Sequence, residues 1–569
     1  MTAPRVDVTD LSSVAAEDIS ADKPGHQLPR WQLRLPIRRA VTAEVIASAL
    51  VAPLAPVVPW WALIPSALPV IAGAALTYRG ATAAEWIARP WRLRRNTHSA
   101  ALRAARASIP TPFSAELPGV GPSALTWDGQ YAITMIALQG RPYAPSVLVS
   151  EGADSRDVVP LEVCGELLEQ FGGLELHSVD VLSEGTRTAP DGRFTARYDE
   201  MVSDRAAVGS RRTWLVLRLR PTGCLDAMRY RSNVGEAISA ATERIRQAVA
   251  RSGCRASTCS VEQINAATAA LLGDRELSAY EEGWTNLRLG NDYVTPYQVS
   301  GADLTTRVLN DMWTIRSSKT VVLVRITRDH ETGGNQVGAL VRIHTNAPQT
   351  HPPLSTLKTV PGQTFEALAA TLPLGDRSVS LPISSRPLSA APLAVQVGPT
   401  GFLHGMAEQS GVPLLMSWTD PLRFLRVAIA ADLDVVEALV LRATSASYTA
   451  EIHTDRPDVW RPICDDTRIS MARGQERSKI ATLIVADGAE PQRVLRESGE
   501  RGHSLVTVLP AGEVMPSDSD IRIRQIGPNR IAVDTPTRSR PIELGIMRPR
   551  NEAHTLAHLR AQSNGSHSR

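Results

Sequence analysis

The sequence predicts an α/β (mixed α+β) region of two units, preceded by a two-helix transmembrane hairpin. Three observations lead to this prediction: an uncharged apolar run near the N-terminus, an alternation of strand-like and helix-like segments after it, and a stretch rich in Pro, Ser and Thr at residues 346–400. The chain has 569 residues, of which 43% are hydrophobic and 21% charged, a composition typical of a globular protein with a substantial core.

The N-terminal part of the chain divides into a tail and an apolar segment. Residues 1–30 are polar and lack periodicity, so we expect a disordered tail. The uncharged run from Val45 to Tyr78 has 34 residues, whereas one bilayer crossing needs about 20. We therefore place two spans at residues 40–78, near 40–57 and 60–78. Prolines clustered mid-run indicate the fold-back, around Val58 and Pro59. The alternatives are a buried hairpin of a soluble domain and, less favoured, a cleaved signal peptide.

Arginines flank this hairpin on both sides, and its outer turn has none. They are Arg30, Arg34, Arg38 and Arg39 before it, and Arg79, Arg89, Arg92, Arg94 and Arg95 after it. Because basic flanks stay on the cytoplasmic side, we expect an inner (plasma) membrane protein whose N-terminus and large C-terminal region are cytoplasmic. The basic segment 79–96 is predicted to be membrane-proximal, with Trp86 to Arg95 lying against the inner leaflet or, alternatively, binding a partner as a helix.

The first unit is predicted at residues 97–345, where strands and helices alternate. We expect helices at 97–110, 161–171, 235–252 and 261–272. We expect strands at 131–138, 146–149, 177–182, 213–219 and 254–261, and a hairpin of 320–327 with 337–344. Residues 346–400 are predicted to be a boundary or an irregular insertion.

The second unit is predicted at residues 401–550. Its strands are expected at 423–430, 449–453 and 482–486, with helices at 435–444 and 458–464 between them. This β-α-β-α-β order favours a parallel, doubly wound arrangement. Residues 551–569 are predicted to form a C-terminal helix and a polar tail.

Composition and motifs argue against several classes of function. A net charge of +3 is close to balanced and does not suggest nucleic acid as a partner. The chain has no GxxxxGK[ST] phosphate loop and no G-x-S-x-G elbow. Gly119 and Gly121 lack the third glycine of a dinucleotide site. His554 and His558 are four residues apart, but Thr555 stands where a zinc protease has its glutamate.

The five cysteines are Cys164, Cys224, Cys254, Cys259 and Cys464. An odd and sparse set is not a disulfide framework. Cys254 and Cys259 are close enough for a local bridge or for two metal ligands, but no second pair completes a zinc site. We expect free thiols in a reducing compartment.

The densest polar cluster is the segment Glu451–Trp460, which follows a predicted parallel strand, where α/β sheets place ligand sites. His453, Asp455 and Asp458 are candidates for an acid–base set. The structural alternative, which we favour, is that Thr454 or Asp455 caps the next helix, Pro457 opens it and Trp460 packs. We therefore predict no catalytic, cofactor-binding or metal-binding residue, and no cofactor.

Several short motifs, taken in order, resemble the EccE component of mycobacterial type VII (ESX) secretion systems over residues 40–490. They are the basic Trp-rich exit, Trp127-Asp128-Gly129, Arg212-Thr213-Trp214-Leu215-Val216-Leu217-Arg218, Arg442-Ala443, and Ile452 to Trp460. The chain departs from the family in its N-terminal tail, in residues 345–400 and at Arg231 to Gly235, where a glycine-rich turn is expected. The resemblance implies a peripheral membrane subunit that assembles with EccB, the EccC ATPase and EccD and has no known catalytic residues.

The sequence hypothesis is therefore a non-catalytic structural subunit of a type VII secretion membrane complex, in contact with the lipid bilayer. The alternative is a membrane-tethered enzyme of glycosyltransferase-like type that uses the second unit. Such an enzyme would need a metal-binding Asp-x-Asp at a strand end. Asp518 and Asp520 lie in a loop expected at the surface, and Asp432 and Asp434 abut a helix start, where acids complement the dipole.

Overall fold

A computed structural model describes residues 31–33, 76–78, 81–117, 121–149, 152–155, 157–229, 233–464, 467–472, 481–491, 493–494 and 504–546. The predicted tails at 1–30 and 551–569, with His554 and His558, lie outside the described residues, as does the predicted hairpin up to residue 75. Gly119 also lies outside them, whereas Gly121 begins a strand.

Three short strands, Trp31–Leu33, Leu76–Tyr78 and Ala81–Thr82, form a small antiparallel sheet. The last residues of the second predicted span are therefore extended. This corrects the end of that span, because residues paired as a strand with Trp31–Leu33 cannot form the final turn of a helix. In the part of the chain that the structure covers, no helix combines the length and the apolar character that a bilayer crossing requires.

Twelve α-helices lie in the described residues. They are Ala83–His98, Ala100–Ala107, Leu161–Glu166, Thr195–Val202, Leu225–Met228, Val234–Arg251, Val261–Leu271, Thr306–Asp311, Thr364–Ala370, Asp376–Val379, Leu433–Ser445 and Pro457–Trp460. The predicted helix at 161–171 is shorter than expected, because Glu169–Gln170 pairs as a strand with Leu174–Thr186. Phe171, predicted on its apolar face, is 87% exposed.

The first sheet has fourteen strands in the described residues, and every pairing in it is antiparallel. Its path runs through Glu281–Glu282, Leu287–Leu289, Asp292–Val299, Asn335–Thr345, Lys319–Arg328, Leu174–Thr186, Ser210–Leu219, Tyr131–Gln139, Gly121–Asp128 and Phe113–Leu117. Glu169–Gln170, Arg255–Thr258, Leu357–Thr359 and Ser385–Pro387 pair beside this path. The predicted 320–344 hairpin is confirmed.

The antiparallel order refines the expected α/β alternation. Leu174–Thr186 and Ser210–Leu219 are neighbours although the helix Thr195–Val202 lies between them in sequence. The chain returns antiparallel through residues 187–209, although a connection of that length is also long enough for a parallel crossover. The first unit is therefore better described as α+β.

Both faces of the first sheet are buried, and alternate residues of each central strand belong to different cores. On Ser210–Leu219, Leu215 and Leu217 belong to the core that contains the helix Val234–Arg251. Trp214 and Val216 belong to the core that contains the helices Val261–Leu271 and Thr364–Ala370. The second of these helices lies in the predicted insertion 346–400, whose residues thus form a buried layer on the sheet.

The second sheet has twelve strands in the described residues, and six of them pair in parallel, including the three strands that the sequence predicted. The parallel part runs Ile469–Met471, Ala450–Thr454, Leu483–Asp487, Ser504–Leu509, Leu425–Ala430, Ile521–Gly527. The antiparallel part continues through Arg530–Asp534, Ile542–Gly545, Phe402–Ala407, Pro413–Met416, Ser146–Val149 and Gly152–Asp154. The helix Leu433–Ser445 packs on this sheet and is buried from Val435 to Ser445.

One hairpin lies among the strands of the first sheet in sequence but belongs to the second sheet in the structure. Ser146–Val149 and Gly152–Asp154 lie within residues 97–345, yet they extend the second sheet, because Val147 pairs with Leu414 and Ser146 with Leu415. The division into units at 97–345, 346–400 and 401–550 remains a prediction. This hairpin links the unit predicted at 97–345 to the unit predicted at 401–550.

Candidate functional sites

The segment Glu451–Trp460 is organised by a residue outside it, Asp487. Asp487 ends the strand Leu483–Asp487 at the carboxyl edge of the parallel sheet, and it is 1% exposed. The indole Nε1–H of Trp460 donates to Asp487 Oδ2 at 2.7 Å, and the Thr454 hydroxyl donates to the same oxygen at 3.1 Å. The Arg456 guanidinium also donates to this carboxylate. We call these four residues the Asp487 cluster.

These contacts fix the loop after the strand Ala450–Thr454, and they engage its polar side chains in structural hydrogen bonds. Trp460 is fully buried, as predicted. Pro457 opens the helix, also as predicted, but the capping residue is Arg456 instead of Thr454 or Asp455. The helix begins too late for those two residues to cap it. Thr454 Oγ1 instead accepts the backbone N–H of Arg456 at 2.9 Å.

The structure separates the three candidates for acid–base work. His453 Nε2 lies 2.9 Å from Glu451 Oε1, two residues back on the same face of the strand. Asp458 is exposed and pairs with Arg461 at 2.8 Å. The exposed Asp455 donates its backbone N–H to the carbonyl of Asp487 at 3.3 Å. The carboxylate that contacts His453 is thus Glu451, which was not among the three candidates.

The Asp-x-Asp pairs that would mark a glycosyltransferase-like enzyme are both engaged elsewhere. Asp518 pairs with Arg426 at 2.7 Å at the surface, as expected. Asp520 is partly buried instead, and it accepts the Tyr143 hydroxyl at 2.6 Å. Asp432 exchanges two hydrogen bonds with Gln525, at 2.7 and 2.8 Å. Among the described residues, no group of three His, Cys, Asp or Glu is placed to hold a metal ion.

All five cysteines are free thiols, as expected. Cys254 Sγ lies 3.1 Å from the carbonyl of Val158, and it is not bonded to Cys259. Burial raises the pKa of Cys254 to about 11 and that of Cys259 to about 12, which keeps both protonated at neutral pH.

A buried ion-pair cluster, which the sequence analysis missed, joins the first sheet to the insertion. Asp180 accepts Arg325 Nε at 2.8 Å and Nη2 at 2.6 Å, and it also accepts Arg218 Nη1. Arg218 donates to the Leu374 carbonyl at 2.6 Å and to Ser378 Oγ at 2.8 Å. Arg325 donates to the Ser378 carbonyl at 3.0 Å. We call Asp180, Arg218, Arg325 and Ser378 the Asp180 cluster.

A third arginine, Arg342, also joins the first sheet to the insertion, beside the Asp180 cluster. It is fully buried and donates to Thr371 Oγ1 at 3.0 Å and to the Leu271 carbonyl at 2.6 Å. Its Nη1 lies 2.8 Å from His344 Nε2. Burial, and then the charges of Arg342 and Lys319, hold the pKa of His344 well below its usual range, so the imidazole is neutral. Each of these arginines interrupts an apolar strand, a signal visible in the sequence.

The helix Ala83–His98 exposes one face to solvent, and its other face contacts the insertion. Thr82 and Glu85 form a capping box at its start. Arg89 is buried, lies over the Trp86 ring at 4.5 Å and donates to the Pro361 carbonyl at 3.2 Å. On the outer side Ile87 is 68% and Trp91 73% exposed. The exposed arginines beside them are Arg92, Arg94 and Arg95.

The following helix, Ala100–Ala107, fixes this arrangement. Arg106 pairs with Glu282 at 2.7 Å and with Glu366 at 2.9 Å, and it lies over the Phe365 ring at 4.1 Å. One arginine thus connects the helix to the edge of the first sheet and to the insertion. The helix predicted at 97–110 corresponds to Ala100–Ala107, which Ser99 separates from the helical basic segment before it.

Comparison with known proteins confirms the EccE resemblance. Residues 207–299 match the family described as "Putative type VII ESX secretion system translocon, EccE". The chain is 26% identical over 333 residues to the ESX-2 secretion system protein EccE2 of Mycobacterium tuberculosis, which covers 58% of this chain and 60% of that protein.

Two further relatives show the same range of similarity. The ESX-5 secretion system protein EccE5 of Mycobacterium marinum is 28% identical over 242 residues, covering 41% of this chain and 59% of that protein. The ESX-1 secretion system protein EccE1 of Mycolicibacterium smegmatis is 29% identical over 327 residues, covering 54% and 63%. The chain thus spans about 60% of the length of these curated relatives.

Proposed function

We propose that this chain, which is similar to EccE proteins, is a non-catalytic structural subunit of a type VII (ESX) secretion translocon. The family match at residues 207–299 carries the proposal. These residues include the central strand Ser210–Leu219 and the helices that cover it on both faces, Val234–Arg251 and Val261–Leu271. The similarity therefore concerns the centre of the first sheet.

The second support is the way in which the polar residues are used. In the Asp487 cluster a buried carboxylate joins a loop to a strand. In the Asp180 cluster a buried carboxylate holds Arg218 and Arg325, and these two arginines join the insertion to the first sheet. Buried polar groups of this kind orient and fasten backbone segments. A subunit that supports an assembly needs rigid surfaces, and both clusters supply rigidity.

We further propose that the hairpin at residues 40–75, which ends before the strand Leu76–Tyr78, anchors the chain in the inner membrane, with the N-terminus and the large C-terminal region cytoplasmic. The helix Ala83–His98 supports this placement, because it follows the hairpin directly and exposes Ile87 and Trp91 beside basic residues. Indole rings and arginines of this kind favour the membrane–water interface. The proposed partners are EccB, the EccC ATPase and EccD.

Co-purification tests the proposal most directly. The tagged full chain, extracted from membranes in mild detergent, should bring down the other ESX membrane components. A matched variant with residues 40–75 replaced by a Leu-rich hairpin, which keeps the strand Leu76–Tyr78, should stay in the membrane but lose them, because the natural spans offer small residues for close helix packing. A wild-type chain that migrates alone contradicts the proposed function. A swapped chain that still assembles places recognition outside the hairpin.

Cysteine labelling tests the orientation separately. Val58→Cys, in the predicted outer turn, should react with an impermeant reagent in intact cells. Glu331→Cys, in an exposed loop of the first unit, should react only after permeabilisation. Position 331 suits this purpose because its side chain is exposed, whereas Ser123 is 5% exposed and would stay unlabelled on either side of the membrane. Labelling of Glu331→Cys in intact cells contradicts the cytoplasmic placement.

A further inference from the structure

A cavity of about 400 Å³ lies where strand ends of the two sheets meet. From the first sheet it is lined by the end of Tyr131–Gln139 and the start of Ser210–Leu219. From the other side it is lined by Ser417, Asp420 and Tyr448. Its volume lies within the range of about 300–1,000 Å³ typical of small-molecule sites, which also favour the junctions between structural units.

The walls of this cavity carry more positive than negative charge. The lining contains four arginines and two aspartates: Arg141, Arg211, Arg212, Arg255, Asp157 and Asp420. Asp420 accepts Arg255 Nη1 at 2.8 Å, and Asp157 lies 3.6 Å from Arg141. Arg212 pairs with Glu184, outside the lining, at 3.1 Å. Arg211 has no carboxylate within ion-pair distance among the described residues.

Arg211 is the unusual member of this set, because its guanidinium is buried among neutral groups. It is 5% exposed, donates from Nε to the Gly398 carbonyl at 2.6 Å and from Nη2 to Gln396 Oε1 at 3.2 Å, and lies 5.1 Å from the Trp313 ring. Its Nη1 forms no hydrogen bond with any residue that the structure describes. Burial lowers the pKa of Arg211 to about 9, since no acid opposes the desolvation of its charge.

The missing counter-charge defines the chemistry of an occupant. A guanidinium binds the oxygens of phosphates and carboxylates with charge-assisted hydrogen bonds. Arg141 and Arg212, each about half exposed at the rim, add positive charge along the entrance. Tyr448 and Ser417, whose hydroxyls are 2.9 Å apart, supply further hydrogen-bonding groups on the opposite wall.

We infer that this cavity binds a small anion bearing a phosphate or carboxylate group, held by Arg211 and attracted by Arg141 and Arg212. The inference is independent of the proposed secretion role. Such a ligand contacts residues beside both sheets, so its binding should stabilise their packing against one another by linkage.

Calorimetry on the purified full chain in detergent, at constant ionic strength, tests this inference. The probes are inorganic pyrophosphate and succinate, which separate the phosphate from the carboxylate source. We expect saturable one-site binding of one probe at millimolar concentration or tighter, with a matching rise in melting temperature. The absence of saturable binding of both probes overturns the inference.

The variants separate this cavity from non-specific attraction. The double variant Arg141→Gln/Arg212→Gln changes half-exposed side chains, while Asp157 keeps the backbone N–H of residue 141 and Glu184 keeps Lys319 as a partner. It should therefore fold and weaken binding by roughly tenfold or more. The control Arg328→Gln removes an arginine that pairs with the exposed Glu169, and it should bind as the wild type does. Arg211→Gln should abolish binding in whatever fraction folds. Equal weakening by the control, or none by the double variant, contradicts the assignment.

Discussion

Replacing Asp180 should destabilise the protein more than replacing any surface acid. Asp180 is fully buried and accepts three hydrogen bonds from Arg218 and Arg325, whose side chains are 0% and 8% exposed. Asp180→Leu leaves two guanidinium groups buried without their shared carboxylate. Breaking a buried ion pair in this way costs about 3–5 kcal/mol.

This loss is large relative to the whole stability of a domain, which is about 5–15 kcal/mol. Three hydrogen bonds to charged groups, at about 1.5–3 kcal/mol each, would give a larger sum, but contacts that share one carboxylate are not additive. We therefore expect a loss near 4 kcal/mol, which lowers the folding constant by roughly a thousandfold. The insertion should detach first, because Arg218 and Arg325 connect it to the sheet.

Urea unfolding of the full chain in detergent, followed by tryptophan fluorescence and by proteolysis of the insertion, measures this effect. The control is Asp518→Leu, since Asp518 also pairs with an arginine but is exposed. Its loss should stay within about 1 kcal/mol, as for surface pairs. Replacing Asp180, Arg218 and Arg325 together by Leu, Met and Met should recover part of the loss. The reasoning is refuted if Asp180→Leu costs no more than Asp518→Leu.

Three further predictions concern Asp180, the segment Glu451–Trp460 and the cysteines. Burial favours a raised pKa for Asp180, but the guanidiniums of Arg218 and Arg325 outweigh it and hold the pKa below its usual range. The stability that Asp180 contributes should thus be complete above about pH 4 and be lost as pH falls further, which acid unfolding of wild type against Asp180→Leu measures. Trp460→Ala should lower subunit abundance through a loss of about 3–5 kcal/mol, whereas His453→Ala should leave abundance and secretion near wild type on immunoblots. Full abundance with abolished secretion in His453→Ala contradicts the structural role of that segment. Native protein should show one fast-reacting thiol, Cys464, because it alone is not fully buried and burial raises the pKa of two others to about 12. A second fast thiol in a titration with a thiol reagent contradicts this.

Local patterns in the sequence predicted several central strands of the first sheet, three of the parallel strands of the second, and the helices at 235–252, 261–272 and 435–444. The 320–344 hairpin and the helix at 235–252 were recognisable because apolar residues recur with the period of each structure. The parallel order of the second sheet followed from alternating strands and helices. These features depend on neighbours in sequence, so a single chain reveals them.

The clusters that hold the molecule together could not be predicted, because they depend on which strands become neighbours. Arg218 and Arg325 each interrupt an apolar strand, but only the register that places Asp180 opposite Arg325 explains them. Asp487 was missed for a simpler reason. The predicted strand ended at residue 486, one position before the carboxylate that organises Trp460.

The hairpin Ser146–Asp154 imposes an order of events during synthesis. Its partner strand Pro413–Met416 emerges from the ribosome only much later, since Val147 pairs with Leu414. At about 5–20 residues per second, the early hairpin waits roughly 15–50 s with its backbone edge open. An open edge of this kind can pair with other nascent chains. The second sheet reaches its full width later still, because the strand Ile542–Gly545 joins the part that holds this hairpin to the rest of the sheet. A fragment that starts at residue 401 should lack the last two strands at any time.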